Sequence, residues 1–186
     1  MKLMIASDIH GSAPYCRALL ERYRAEGADR LVLLGDLLYH GPRNDLPDGY
    51  APKEVIPMLS ELKNDILCVR GNCDTEVDQM VLPFPLLADY AVILDGERLI
   101  YATHGHVYGE DNPPPLGDGD ILLCGHTGLR AITETIFVGI ADTEPANSIV
   151  AVQLTHFFDA LSAMIVSGTI YILVIGRVLG LIFVIV

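Results

Sequence analysis

Residues 3–12 read LMIASDIHGS: four apolar residues, a small polar one, then Asp8 and His10 on either side of Ile9. An unbroken apolar run this short, ended by polar residues and a glycine, is the mark of a strand buried on both faces. Asp8 and His10 follow where that strand must end. Beyond them, Ser12 is placed to cap a helix and Pro14 is tolerated in its first turn. Cys16, Leu19, Leu20 and Tyr23 then recur at helical spacing, and Gly27 marks the stop.

The same grammar repeats along the chain. Residues 31–34 are a second buried strand, followed by a long loop over 35–49 rich in Gly, Pro, Asn and Asp. Val55, Ile56, Leu59 and Leu62 give a second apolar helix face. Residues 66–69 form a third strand, residues 90–102 a hairpin turning at Asp95-Gly96, and residues 121–124 a further buried strand. Strands alternating with helices predict an α/β sheet covered by helices.

Composition narrows the function. The 186 residues fit a single domain, and 51% hydrophobic content excludes a disordered chain. A net charge of −12 argues against a nucleic-acid polymer as partner, which needs clustered Lys and Arg. An anionic substrate would need local positive charge, and bound metal ions are the obvious source. Cys16, Cys68, Cys73 and Cys124 form no CxxC pair, and the N-terminus is too short in apolar residues for a signal peptide. Free thiols in the cytoplasm are the expectation.

Residues 131–186 differ: their one basic residue is Arg177, and residues 160–176 carry no charge. The length suits a membrane span, but Arg177 near its middle objects. Abundant Ile, Val and Thr with punctuating glycines favour buried strands, at 149–154, 169–175 and 181–186.

Five segments place metal-ligand residue types directly after an apolar strand. They are Asp8-Ile9-His10, Gly35-Asp36, Gly71-Asn72-Cys73-Asp74, His104-Gly105-His106 and Gly125-His126-Thr127. Singly, each is an ordinary turn or cap. Together they predict a cation site at the rim where strand ends gather. Carboxylate, amide oxygen and imidazole suit Mn2+, Fe or Zn better than Ca2+ or Mg2+.

The order D-x-H, G-D, G-N-x-D, H-G-H, G-H-T resembles the calcineurin-like metallophosphoesterase superfamily. Residues 1–130 are similar to its YfcE-type bacterial phosphodiesterases, through ASDIHGS, LGDLLYHGPRN, LPDGYAP, VRGNCDTEVDQM and THGHVYG. The resemblance implies a metallophosphoesterase-type β-sandwich flanked by helices in α-β-β-α layers. It implies one domain over residues 1–186, with 131–186 a divergent, highly apolar part. The implied reaction is hydrolysis of a small or aryl phosphodiester by a hydroxide activated between two divalent metal ions, Mn2+ first, with Fe, Ni or Zn as alternatives.

Position by position, Asp8 and His10 resemble ligands of the first metal, Asp36 the bridging carboxylate, and Asn72, His104 and His126 ligands of the second. Asp36, Asn72 and Cys73 are the residues expected at the reacting centre. Cys73 stands where many members have a histidine, either as a weak proton donor suited to aryl leaving groups or as a small buried residue. The superfamily's final GHTH histidine, a ligand of the first metal, is Gly128 here, so six of seven ligands remain. Arg43, Arg70 and His106 are candidates for substrate phosphate, each with a second reading: a solvated loop charge for the two arginines, a loop-stabilising residue for His106. The gap at Gly128 keeps open a weakened protein acting as a scaffold, as the retromer subunit of this superfamily does. A chain tethered to a membrane through residues 160–186 is a third reading, and an oligomer is compatible with the sequence.

Overall fold

The computed structural model describes residues 2–109 and 111–126, together with the backbone of four short strands beyond them. Two four-stranded sheets make the framework. In the first, β1 (Leu3–Ala6), β2 (Arg30–Leu33) and β3 (Ile66–Cys68) run parallel, and β10 (Phe183–Ile185) pairs antiparallel with β1. In the second, β4 (Tyr90–Asp95) and β5 (Arg98–Thr103) form an antiparallel hairpin. There β6 (Ile121–Cys124) runs parallel to β5, and β8 (Ser148–Ala151) parallel to β6. A small ribbon joins β7 (Ile136–Phe137) to β9 (Tyr171–Ile172).

β1 carries no polar residue because both its faces are covered. Met4 and Ala6 turn toward the helices, with Leu31, Leu33 and Cys68 on neighbouring strands. Cys16, Leu19, Leu20 and Tyr23 of α1 (Ala13–Glu26) pack there, beside Val55 and Leu59 of α2 (Pro52–Ser60). Leu3 and Ile5 point the other way, into a second core with Val32, Leu34 and Val69. Ile100, Ala102, Ile121 and Leu123 of the second sheet close that core. Each such side chain contributes about 1.5–3 kcal/mol on leaving water, so register is fixed: a one-residue slip would exchange the two cores.

This is a β-sandwich with helices on one sheet, as expected. Among the described residues no helix covers the second sheet, so the fourth layer of the expected α-β-β-α stack is not represented there. The strands expected at 149–154, 169–175 and 181–186 appear as β8, β9 and β10, each shorter than its apolar run. Gly128 and most of residues 131–186 lie outside the described residues. No described helix is long and apolar enough to cross a membrane.

Three local details differ from expectation. Ser12 occupies the cap position of α1, but its hydroxyl donates to the Asp48 carbonyl at 2.6 Å instead of accepting from the helix. The hairpin turns at Gly96-Glu97, with Asp95 paired to Arg98. A short helix, α3 (Glu76–Val81), follows the Gly-Asn turn and begins with a capping box between Thr75 and Asp78.

Candidate metal centre

The loops leaving β1, β2, β3, β5 and β6 converge at the carboxyl ends of those strands. The first two are laced together. The Asp8 N–H donates to the Gly35 carbonyl at 3.0 Å, and the His10 N–H to the Asp36 carbonyl at 2.8 Å. Asp74 ties in the third: its carboxylate accepts the backbone N–H of Asp36 and of Gly71, both at 2.7 Å, and of Leu37 at 3.0 Å. Burial raises the pKa of Asp74, and those three donors oppose the rise. Asp74 is thus a positioning residue, and its own oxygens are spent on backbone.

Gly71 makes this convergence sterically feasible. A methyl group there would overlap the Asp36 carboxylate and backbone nitrogen. A side chain at Gly125 would likewise overlap Ser7 and Asp8.

Among the described residues, four non-glycine residues have positive φ: Asp8 at 58°, His10 at 48°, Asp36 at 56° and His126 at 64°. All four are expected ligands. A left-handed backbone costs an ordinary residue about 1–2 kcal/mol, and such outliers concentrate where geometry serves a site.

Asp36 is the hub. It is 2% exposed. One oxygen, Oδ1, is anchored by the Cys73 N–H at 2.7 Å. The other, Oδ2, faces two imidazoles: His10 Nε2 at 3.6 Å and His104 Nε2 at 3.5 Å. Asp8 Oδ1 lies 3.4 Å from His10 Nε2, while its Oδ2 accepts from the Ser7 hydroxyl and, at 3.3 Å, from the His126 N–H.

Both central histidines are oriented from behind. The Nδ1 of His104 bonds the Leu34 carbonyl at 2.7 Å, and the Nδ1 of His10 bonds the Tyr39 carbonyl at 2.8 Å. A carbonyl accepts only, so each Nδ1 carries its proton and each Nε2 is turned into the site. His104 Nε2 then meets Asn72 Oδ1 at 2.9 Å and Asp36 Oδ2 at 3.5 Å. Three electron pairs converge with no proton among them in the neutral ring, an arrangement that a cation satisfies.

Donor atoms of His10, Asp36 and Cys73 all lie within 4.8 Å of one another, as do those of Asp36, His104 and His126. The two triads share Asp36, and their imidazole and carboxylate donors are of the types that hold divalent metal ions.

Electrostatics follow from crowding. Burial pushes Asp8 up, but the hydrogen bond with His10 and the charge of His104 outweigh it, leaving its pKa lowered. Burial pushes His10 down, yet Asp8, the Tyr39 carbonyl and Asp36 carry it up to about 9. His106 and His126 are lowered, by burial first and by His104 next. Burial and the nearby carboxylates, Asp36 foremost, push the Cys73 thiol up to about 12.

The candidates for substrate contact are placed differently. His106 is exposed, and its ring centroid lies 5.2 Å from that of His104 and 5.9 Å from that of His126, at the rim of the centre. Arg43 is exposed, and its positive charge adds a small part to the lowering of the His126 pKa. Arg70 is engaged elsewhere: Nε donates to the Asp74 carbonyl at 3.2 Å and the guanidinium lies 3.9 Å from Glu76. The sequence reading missed three supporting groups, Ser7 and the carbonyls of Leu34 and Tyr39, and it gave Asp74 no role of its own. Only Asp74 had a sequence signal, as the last letter of G-N-x-D.

A two-sheet sandwich whose strand ends present His, Asp and Asn around a shared carboxylate defines the metal-dependent phosphoesterases. Residues 1–160 match the calcineurin-like phosphoesterase family, and the chain belongs to it. It is 51% identical over 129 residues to phosphodiesterase YfcE of Escherichia coli strain K12, covering 69% of this chain and 70% of that protein. The YfcE of the O157:H7 strain matches equally. The solved structure of E. coli YfcE, described as a phosphoesterase, superposes with a TM-score of 0.70 at 44% identity, over 82% of this chain and 78% of that one.

Proposed function

We propose that this protein is a phosphodiesterase of the YfcE type that hydrolyses a small or aryl phosphodiester at a centre of two divalent metal ions. The observation that carries the reading is the pair of donor triads meeting at Asp36. His10 with Asp8 would serve one ion; His104, His126 and Asn72 would serve the other. Mn2+ suits this mixture of imidazole, amide and carboxylate oxygen, and Fe, Ni or Zn can occupy the same donors. When bound, the ions supply Lewis-acid charge to the phosphoryl oxygens and lower the pKa of a water.

The chain's own residues do the rest. Asp36 holds both triads in register. Asp74 fixes the backbone of Asp36, so the shared oxygen cannot drift. His106, at the rim, and Arg43, on the exposed loop after β2, are the residues assigned here to a phosphate oxygen outside the centre. Cys73 occupies the place of a histidine, and a neutral thiol is a poor proton donor to a departing alkoxide. An aryl leaving group, which departs as a stable anion, matches that lack. A diester of nucleotide size fits the same chemistry, and a nucleic-acid polymer does not suit a chain of net charge −12.

The described residues keep donors for both ions, which favours an enzyme over a scaffold. The test is hydrolysis of bis-p-nitrophenyl phosphate with Mn2+, before and after Asp36→Asn. Turnover stimulated by Mn2+ and reduced at least about a hundredfold in the variant is expected, because both triads lose their shared carboxylate. Equal rates in the two proteins would overturn the reading.

A further inference from the structure

Two groups outside the donor triads hold Asp8 in place. Ser7, the residue after β1, is fully buried, and its hydroxyl donates to Asp8 Oδ2. The same oxygen accepts the His126 N–H at 3.3 Å, from the loop that leaves β6. With two donors on Oδ2, Oδ1 is the oxygen left beside His10 Nε2, at 3.4 Å. Gly125 makes the arrangement possible. A side-chain carbon there would overlap both the Ser7 hydroxyl and Asp8 Oδ2. The loop after β6 therefore rests directly on Ser7 and the Asp8 carboxylate.

His126 has a φ of 64°, and its ring centroid lies 4.8 Å from that of His104. A left-handed backbone at a non-glycine residue persists only where its surroundings hold it. Asp8 Oδ2 is one of the contacts that do so. One carboxylate thus meets both halves of the centre: Oδ1 on the His10 side, Oδ2 on the backbone of a ligand assigned to the other ion.

We propose that Ser7 is a positioning residue that couples the two metal positions, by fixing Asp8 so that Oδ1 serves the first ion while Oδ2 holds His126 for the second. The inference rests on the metal-centre reading above and changes none of its ligands. A hydrogen bond to a ligating carboxylate limits its rotation, and losing such an outer partner costs about 10–100-fold in metal affinity. Ser7→Ala frees the carboxylate to turn and to offer both oxygens to the first ion. The His126 N–H then loses its acceptor, and the second position weakens as well. Coupling of this kind is reciprocal: what the first ion contributes to binding of the second, the second returns to the first. A hydroxyl that bonded Asp8 only because a buried polar group needs a partner would affect folding stability and leave the ions alone.

The whole chain, stripped with chelator, is titrated with Mn2+ and followed by calorimetry and electron paramagnetic resonance. The proteins compared are wild type, Ser7→Ala and Gly125→Ala, the last of which displaces the same hydroxyl from the opposite loop. Melting curves in chelator show that each variant is folded; if Ser7→Ala is not, Gly125→Ala decides by the same criteria. Affinity at both positions should fall about tenfold or more in the variants. At equal Mn2+ loading, the share of exchange-coupled ion pairs should drop below that of wild type, with isolated Mn2+ in their place. A folded variant with wild-type affinities and the wild-type share of coupled pairs would overturn the proposal. So would a loss confined to one position, because the ions would then bind without reference to Ser7 as a link. Absence of coupled pairs from the wild type at saturation would overturn the two-ion reading itself, and this inference with it.

Discussion

His10 meets two opposing demands. As a ligand it must be neutral, but in the metal-free chain Asp8 and Asp36 hold its proton and carry its pKa up to about 9, against an ordinary value of 6.5. A raised folded-state pKa means that the protonated ring stabilises the fold. That contribution is complete below pH 6.5 and is lost as pH rises through 9. The metal-free chain should therefore lose thermal stability between pH 6.5 and 9, and His10→Gln should flatten that slope. Metal affinity should move the opposite way over the same interval, because the ion competes with a proton. Melting curves of both proteins in chelator check the first part; identical slopes would remove His10 from the account. The ligand types were legible in the sequence because chemistry restricts them to Asp, Asn and His. Their backbone was not. Nothing in ASDIHGS signals that Asp8 and His10, non-glycine residues, take positive φ, since that strain is imposed by partners on other loops.

The elements of the site are loops, and their spacing is set by what is absent from Gly71. Its φ is not in the left-handed region, so no turn requires glycine there; the close approach of Asp36 does. Gly71→Ala must push the β3 loop away from the β2 loop or displace the carboxylate. Overpacking of this kind costs about 1–3 kcal/mol. The same shift would also separate Asp74 from the N–H groups of Asp36 and Leu37. Urea denaturation should show the loss of stability, and metal titration should show weaker binding at both positions, because both use Asp36. A variant with unaltered metal affinity would mean that the loops adjust independently. At this scale the sequence was readable wherever burial was two-sided, as in β1, β2 and β6, whose apolar runs have no other use. It was left unread, or read only in part, where a local signal was brief. The Thr75–Asp78 capping box was present, but α3 spans only six residues and has too few turns to show a periodic face. Ser12 has the right identity for a cap, yet Asp48, 36 residues away, takes its hydroxyl; only the folded loop brings that competitor near.

At the scale of the whole molecule, the acidic balance and the metal centre are coupled. The chain carries 24 acidic residues against 12 basic ones, so any divalent cation will associate with its surface to some degree. A specific centre differs from that background in strength and in its dependence on one residue. An ion that binds only the folded state, present at 100 times its Kd, adds about 2.7 kcal/mol of stability. For a chain of this length each kcal/mol moves Tm by about 2–4 °C. Saturating Mn2+ should therefore raise Tm by about 5–10 °C, and chelator should return it to the starting value. Asp36→Asn should abolish most of the shift, since the shared carboxylate serves both triads, while substitution of an exposed acid such as Glu54 or Glu61 should leave it intact. Mg2+ at the same concentration should give a smaller shift, because imidazole donors favour Mn2+ over the harder ion. A shift of equal size in wild type and Asp36→Asn would mean that the ions act through the acidic surface and that the centre at the strand ends is not what they stabilise.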